Sequence, residues 1–196
     1  MVARVKTWIN GEVLTGPDLN AEFDNVIAAQ NTVATTTAPG PSELATAGEI
    51  DTGTDAARTI TPDTLAGSNF GIRYVAVQCF APATNCSTGD GKAFFTIPSG
   101  MNGMNLISVH AAVYTAGTTG TMDIQIRRKQ DSEVDMLSVK LTIDSTERRS
   151  DTAATAAVID TANDNVTTND SIIVDVDAVH TTPAQGLVVT MGFALP

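Results

Sequence analysis

The chain has 196 residues, 22 acidic against 11 basic side chains, and a formal net charge of −11. That length makes one or two domains. The acidic balance, shared by both halves, excludes a nucleic-acid backbone as partner, because phosphate binding needs a basic footprint. No window is apolar for long enough to span a bilayer, and residues 1–12 lack the apolar core of a signal peptide. The expectation is therefore a protein made in the cytosol and kept soluble. Residues 2–14 read as extended, with Trp8 the sole tryptophan and Asn10-Gly11 a turn signal. A helix follows, with Thr15 as N-cap, Pro17 and Asp18 in the first turn, and Leu14 placed to staple against Leu19. Leu19, Phe23, Val26 and Ile27 fall at i, i+4, i+7 and i+8, one apolar stripe running to about Asn31. A lone helix of this length is marginal in water, so the stripe needs a partner: sister copies, or a groove on a larger assembly.

TVATTTAPGPS, residues 32–42, is a linker, since Pro39-Gly40-Pro41 forbids a continuous helix. Residues 42–68 then carry two helix starts. Thr46-Ala-Gly-Glu49 is a capping box, and Thr61-Pro62-Asp63 combines an N-cap hydroxyl, a proline at the first helical position and an acid in the first turn. Gly53 and Gly67 end these short helices. Ile50, Ile60 and Leu65 form an apolar set with no local partner, so this stretch is expected to order against copies of itself or another protein. Asn69-Phe70-Gly71 reads as a hinge.

From Ile72 the period changes to two. Val75, Val77 and Cys79 alternate with polar or small residues. So do the runs 93–97, 107–113, 122–127, 137–143, 172–176 and 187–193, with a less regular one at 153–159. About eight strands joined by Gly, Pro, Asn and Asp turns predict a mainly β head, two antiparallel sheets packed face to face in a jelly-roll-like β-sandwich. Roughly 120 residues suffice for its own core.

Catalytic patterns are absent. No G-x-S-x-G elbow accompanies His110 or His180, and Asp175 and Asp177 share a strand face as any exposed strand allows. The Asx-rich loop 160–170 offers oxygen ligands for Ca²⁺ but lacks the D-x-D-x-D-G order and a terminal glutamate, so it reads as a turn-capping loop. No metal or cofactor is expected. Arg127-Arg128-Lys129 reads as a solvated strand end. For Cys79 and Cys86, a disulfide would close the loop between them, whereas a cytosolic origin favours free thiols. Tyr74, Tyr114, Phe80 and Trp8 are the aromatic platforms for a sugar. The loops 100–105, 114–120 and 160–170 are where a binding head can vary.

The pattern T-A-x-E-I-D-x-G-T-D-x-x-R-x-I-T-P-x-T-L-A, residues 46–66, resembles a short module of tail fibres and related fibres of tailed bacteriophages. There it joins a virion-attaching N-terminus to a distal β head, usually in a trimer. W-I-N-G-E-V-L-T-x-x-D-L-N-A-E-F-D-N, residues 8–25, resembles N-termini of phage fibre and virion-appendage proteins. Residues 89–103 and 170–189 resemble sandwich heads of such fibres. The resemblance implies three parts: an attachment arm at 1–41 carrying Trp8, Leu14, Leu19, Phe23, Val26 and Ile27; a connector at 42–71 packed through Ile50, Ile60 and Leu65; and a head at 72–196 with Tyr74 and Tyr114 as receptor contacts. It implies a non-enzymatic homotrimer on the virion exterior, assembled in the host cytoplasm. Its partners would be tail or capsid proteins through the arm and a host-surface glycan through the head, with no nucleic acid and no membrane insertion. A head fibre or capsid decoration protein shares this architecture. A small envelope-degrading enzyme is the rival from another class.

Overall fold

Thr15 opens the first helix by accepting the N–H of Asp18 on Oγ1 at 3.4 Å and that of Leu19 on its carbonyl at 3.1 Å. The computed structural model describes residues 10–13, 15–30, 42–130 and 132–196, with 28–30 given by their backbone. Trp8 and Leu14 lie outside the described residues. The chain divides into two units, 1–69 and 70–196.

In the first unit, α1 spans Gly16–Gln30, α2 Ala47–Thr52 and α3 Pro62–Ala66. Both short helices are fixed by reciprocal caps. Thr46 N–H donates to Glu49 Oε2 at 2.9 Å while Glu49 N–H donates back to Thr46 Oγ1. Thr61 and Thr64 do the same around α3. Gly53 closes α2 in the left-handed region, φ 64°, where only glycine escapes a Cβ penalty. A parallel bridge joins Leu44 to Thr59, with Ala45 N–H donating to Thr59 O at 3.0 Å and Thr59 N–H to Glu43 O at 2.8 Å. Arg58 locks the turn by meeting Glu43 at 3.2 Å, Asp55 at 3.4 Å and Glu49. Under this lattice Ala45 and Ile50 are buried. The expectation that Ile50 has no local partner is therefore corrected: it is buried, and Ala45, Arg58 and Ile60 line the same small cavity. Ile60 and Leu65 remain exposed.

The second unit is mainly β. Its strands are β1 Arg73–Asn85, β2 Gly89–Thr96, β3 Asn105–Thr115, β4 Met122–Lys129, β5 Glu133–Asp135, β6 Leu137–Val139, β7 Leu141–Ile143, β8 Val158–Ile159, β9 Ser171–Ala178 and β10 Gln185–Ala194. All their pairings are antiparallel. One sheet runs β1-β10-β3, a second β2-β9-β4-β5 with β7 also on β4, and β6 pairs β8 apart from both. Inward residues of the two larger sheets, including Val189, Met191 and Phe193 from β10 and Ile124, Ile126, Ile172 and Val174 from β4 and β9, belong to one buried cluster. Phe95 meets Phe193 edge to face within it, centroids 6.2 Å apart. Each fully buried large apolar side chain contributes about 1.5–3 kcal/mol, so this unit carries its own interior.

Two strand expectations are corrected. The run 137–143 is not one strand: β6 pairs β8 and β7 pairs β4, so the chain changes sheets at Lys140 and leaves Val139 exposed. Residues 133–135 add a strand with no alternating apolar signal. Two bulges shape the surface of the unit. In β1, Phe80 pairs Leu187 and Asn85 pairs Gln185, so the residues between loop out around Pro82. In β2, Gly89 pairs Val176 and Ala93 pairs Val174, which pushes Gly91 outward.

Candidate binding surfaces

Four residues of the predicted helical stripe, Leu19 (39 %), Phe23 (56 %), Val26 (40 %) and Ile27 (54 %), are all solvent-exposed on α1. Apolar residues recurring at this spacing on an exposed face are the signature of a helix that packs on something else. In the connector, Leu44, Ile60 and Leu65 present a second exposed apolar set. Of the three residues expected to pack connectors together, only Ile50 is used internally.

The outer face of the β1-β10-β3 sheet carries both predicted tyrosines, each exposed. Each stands over a glycine of β10. A Cβ on Gly192 would lie 3.0 Å from Tyr74 Cε1, and one on Gly186 would lie 3.0 Å from Tyr114 Cβ, the pairing by which an aromatic covers a cross-strand glycine. Those glycines are six residues apart in β10, about 20 Å along the strand, so Tyr74 and Tyr114 belong to different ends of one face.

At the Tyr114 end the β1 bulge builds a pocket of about 270 Å³, lined by Gln78, Phe80, Tyr114, Arg148, Gly186 and Val188 among others. Gly186 makes it possible: its φ is +65°, and a Cβ there would come within 2.8 Å of Pro82 Cα. The Arg148 guanidinium lies over the Tyr114 ring, 5.9 Å from its centroid, and donates to the Tyr114 carbonyl. Lys92 Nζ lies 5.8 Å over the ring of Phe80. Sequence reasoning named Tyr114 and Phe80 but missed both cations, Arg148 from the loop after β7 and Lys92 from the bulged part of β2. Pro82 inside a strand, a residue confined to edges and bulges, is the signal that marks the spot.

Of the predicted loops, 100–105 and 160–170 come together. Gly103 N–H donates to Val166 O, Val166 N–H to Met104 O, and Leu106 N–H to Asp164 O. The third loop, 114–120, pairs instead with 181–182 and 146, at the other end of β3. Several oxygens of the Asx-rich loop are used by the protein: Asp160 accepts from Ala162 and Asn163, Asp170 Oδ2 from Thr167, and Asn165 Oδ1 from Arg128 of β4, while Asp170 Oδ1 is buried with no hydrogen-bond partner among the described residues. Among the described residues no group of three or more His, Cys, Asp or Glu is placed to hold a metal, and no helix is long and apolar enough to cross a membrane.

The carboxylates singled out for acid–base work are paired with cations. Asp175 is buried rather than exposed. It binds Arg127 through Nε and, at 3.0 Å, Nη2, and accepts Gly91 N–H from the β2 bulge at 2.6 Å. Arg127 also meets Glu133, so the basic run begins in a half-buried ion network and is not a solvated end. Hydrogen bonding to Asp175 pushes the Arg127 pKa up. Glu133 is held below the usual carboxylate range, first by its hydrogen bond from Lys129. Asp177 pairs Lys140 at 2.9 Å, and that hydrogen bond raises the lysine's pKa.

Among the described residues neither histidine is hydrogen-bonded to a hydroxyl or a thiol. His110 Nε2 is 3.7 Å from Asp151 Oδ1 at a cavity of about 450 Å³, but Ser150 Oγ there accepts the N–H of Ala111. His180 is buried beside Gly117, its Nε2 3.3 Å from Asp144 O. Both cysteines are free. Cys79 sits in β1 between partners of Val188 and Leu187, and Cys86 N–H donates to Ala184 O. Burial pushes the thiols up, to about 12 for Cys79 and about 11 for Cys86.

No protein-family model, curated protein or solved structure matches this chain.

Proposed function

We propose that this chain is a non-enzymatic structural protein of a tailed-phage particle, a short trimeric tail-fibre-like appendage whose jelly-roll-like sandwich head adheres to the host surface. One observation carries the reading: the whole apolar stripe of α1, Leu19, Phe23, Val26 and Ile27, is exposed in a chain whose β unit has a complete interior of its own. Such a stripe is what an attachment or self-assembly helix offers. The capped connector supports the reading, because it is rigid by itself yet leaves Leu44, Ile60 and Leu65 outside. Three heads on one stalk would raise the effective concentration at a repetitive surface, so weak single contacts suffice. The ion pairing of Asp175 and Asp177, and histidines not hydrogen-bonded to a hydroxyl among the described residues, fit a head without catalysis.

The test is localisation on intact particles with an antibody to the β unit. Labelling at the tail is the expected result. Labelling over the shell would move the same architecture to head fibre or capsid decoration. Failure to label any particle would overturn the proposal.

A further inference from the structure

We infer that the pocket at Tyr114 binds a single anionic sugar unit, a monosaccharide ring bearing a carboxylate or a phosphate. The inference deepens the adhesion reading and rests on it for its biological setting. The chain is strongly acidic, and most of its described cations are consumed by carboxylates: Arg58, Arg127, Lys129, Lys140 and Arg149 are all ion-paired. Arg73 and Arg128 donate to the carbonyls of Phe70 and Asn165, and neither lines this pocket. Arg148 and Lys92 meet no carboxylate among the described residues; Arg148 lines this pocket over the Tyr114 ring, and Lys92 lies outside the lining, over the ring of Phe80. An uncompensated guanidinium in the wall of a concave surface, on an otherwise negative molecule, favours an anion, and the second unpaired cation at Phe80 adds to the local positive potential.

The rest of the lining selects a sugar. Phe80 and Tyr114 present aromatic surface for the apolar face of a pyranose, and the exposed Gln78 amide makes no hydrogen bond within the described residues. At about 270 Å³ the space lies below the roughly 300–1,000 Å³ of drug-sized ligands, so it fits one ring. Arg148 suits a planar carboxylate or a phosphate, which its fork meets with two parallel N–H bonds. The larger cavity at His110 lacks these features. Its one carboxylate, Asp151, is already paired with Arg149 at 3.3 Å, and its lining holds no Phe, Tyr or Trp.

The full chain is titrated by amide chemical-shift mapping with methyl glucuronoside, methyl glucoside and glucose 6-phosphate. The expected result is shifts at Gln78, Tyr114 and Val188 with the two anionic sugars and at least tenfold weaker binding of the neutral one. Arg148→Gln should weaken the uronoside about tenfold. Lys92→Gln should weaken it less; beyond its ring contact Lys92 meets only Ser87 Oγ, at 3.4 Å, so this variant guards against loss of folding. Tighter binding of the phosphate supports the inference and points to phosphate-bearing polymers, whereas tighter binding of the uronoside points to polyuronates. Equal binding of the neutral sugar, shifts centred on His110, or no binding would each overturn it. A protein that binds the uronoside but labels no particle would sink the appendage reading alone; a labelled particle whose protein binds no anionic sugar would sink the pocket alone.

Discussion

Among the described residues, the helical unit buries two hydrophobic side chains, Ala45 and Ile50, whereas the β unit buries twenty-three in a single cluster. The first is held by what surrounds its backbone: two capping boxes, one bridge and one arginine shared by three carboxylates. Such elements fix shape but supply little free energy. Caps are worth about 1 kcal/mol and exposed ion pairs about 0–1 kcal/mol. The β unit has the reverse balance, with a large interior and polar groups placed at its margins. The contrast teaches where function resides. One region orders its backbone while leaving Phe23, Ile27, Ile60 and Leu65 in water, which on our proposal is the face it offers to partners, and the other hides its apolar residues.

The largest effect that would sharpen this contrast lies in the β unit. Arg127→Ala leaves Asp175 buried without its cation, which should cost about 3–5 kcal/mol in urea denaturation. The double variant Arg127→Met/Asp175→Leu should recover most of that loss. A single variant as stable as the parent would show that water reaches Asp175 and that the network is a surface feature.

A smaller effect is expected in the helical unit. Thr46→Ala removes the α2 cap and should cost about 1 kcal/mol of local stability. Hydrogen exchange at residues 47–52 should speed up by roughly fivefold, with exchange in the β unit unchanged. Matching acceleration in β9 and β10 would mean that the two units unfold as one.

The smallest is a pH effect on the β unit. The Cys79 thiol is raised from an ordinary value of 9.0 to about 12, burial being the main cause. The unfolded chain therefore loses that proton first. The stability is fully present below pH 9 and drains away as pH rises towards 12. Thermal melts across this window should fall less steeply in Cys79→Val, and thiol reagents at pH 8 should label the parent fully only after unfolding. Rapid labelling of both cysteines in the native state would contradict their placement.

Much of the β unit is legible in the sequence because alternation reports the face of a strand. Met122, Ile124 and Ile126 face inward as their spacing implies, and so do Leu187, Val189, Met191 and Phe193. What escapes depends on partners distant in sequence. Nothing local in 137–143 announces that Leu137 joins β8 while Leu141 joins β4. Asp175 looks like an exposed strand acid until Arg127 and Gly91 close over it. Ile50 looks stranded because the residues gathered beside it, Ala45 and Arg58, come from outside its own helix. Within the pocket, Tyr114 and Phe80 can be named as aromatics, but their meeting with Arg148 and Lys92 needs the bulge at Pro82 and the left-handed Gly186, which fix geometry without leaving a periodic trace.

Mass in solution tests most directly whether the α1 stripe assembles the protein. Light scattering on the purified chain at micromolar concentration should give three times the monomer mass. The variant Phe23→Asp/Ile27→Asp should give the monomer, with the thermal melt of the β unit unchanged. A monomeric parent, or a trimer that survives both charges on the stripe, would contradict assembly through α1.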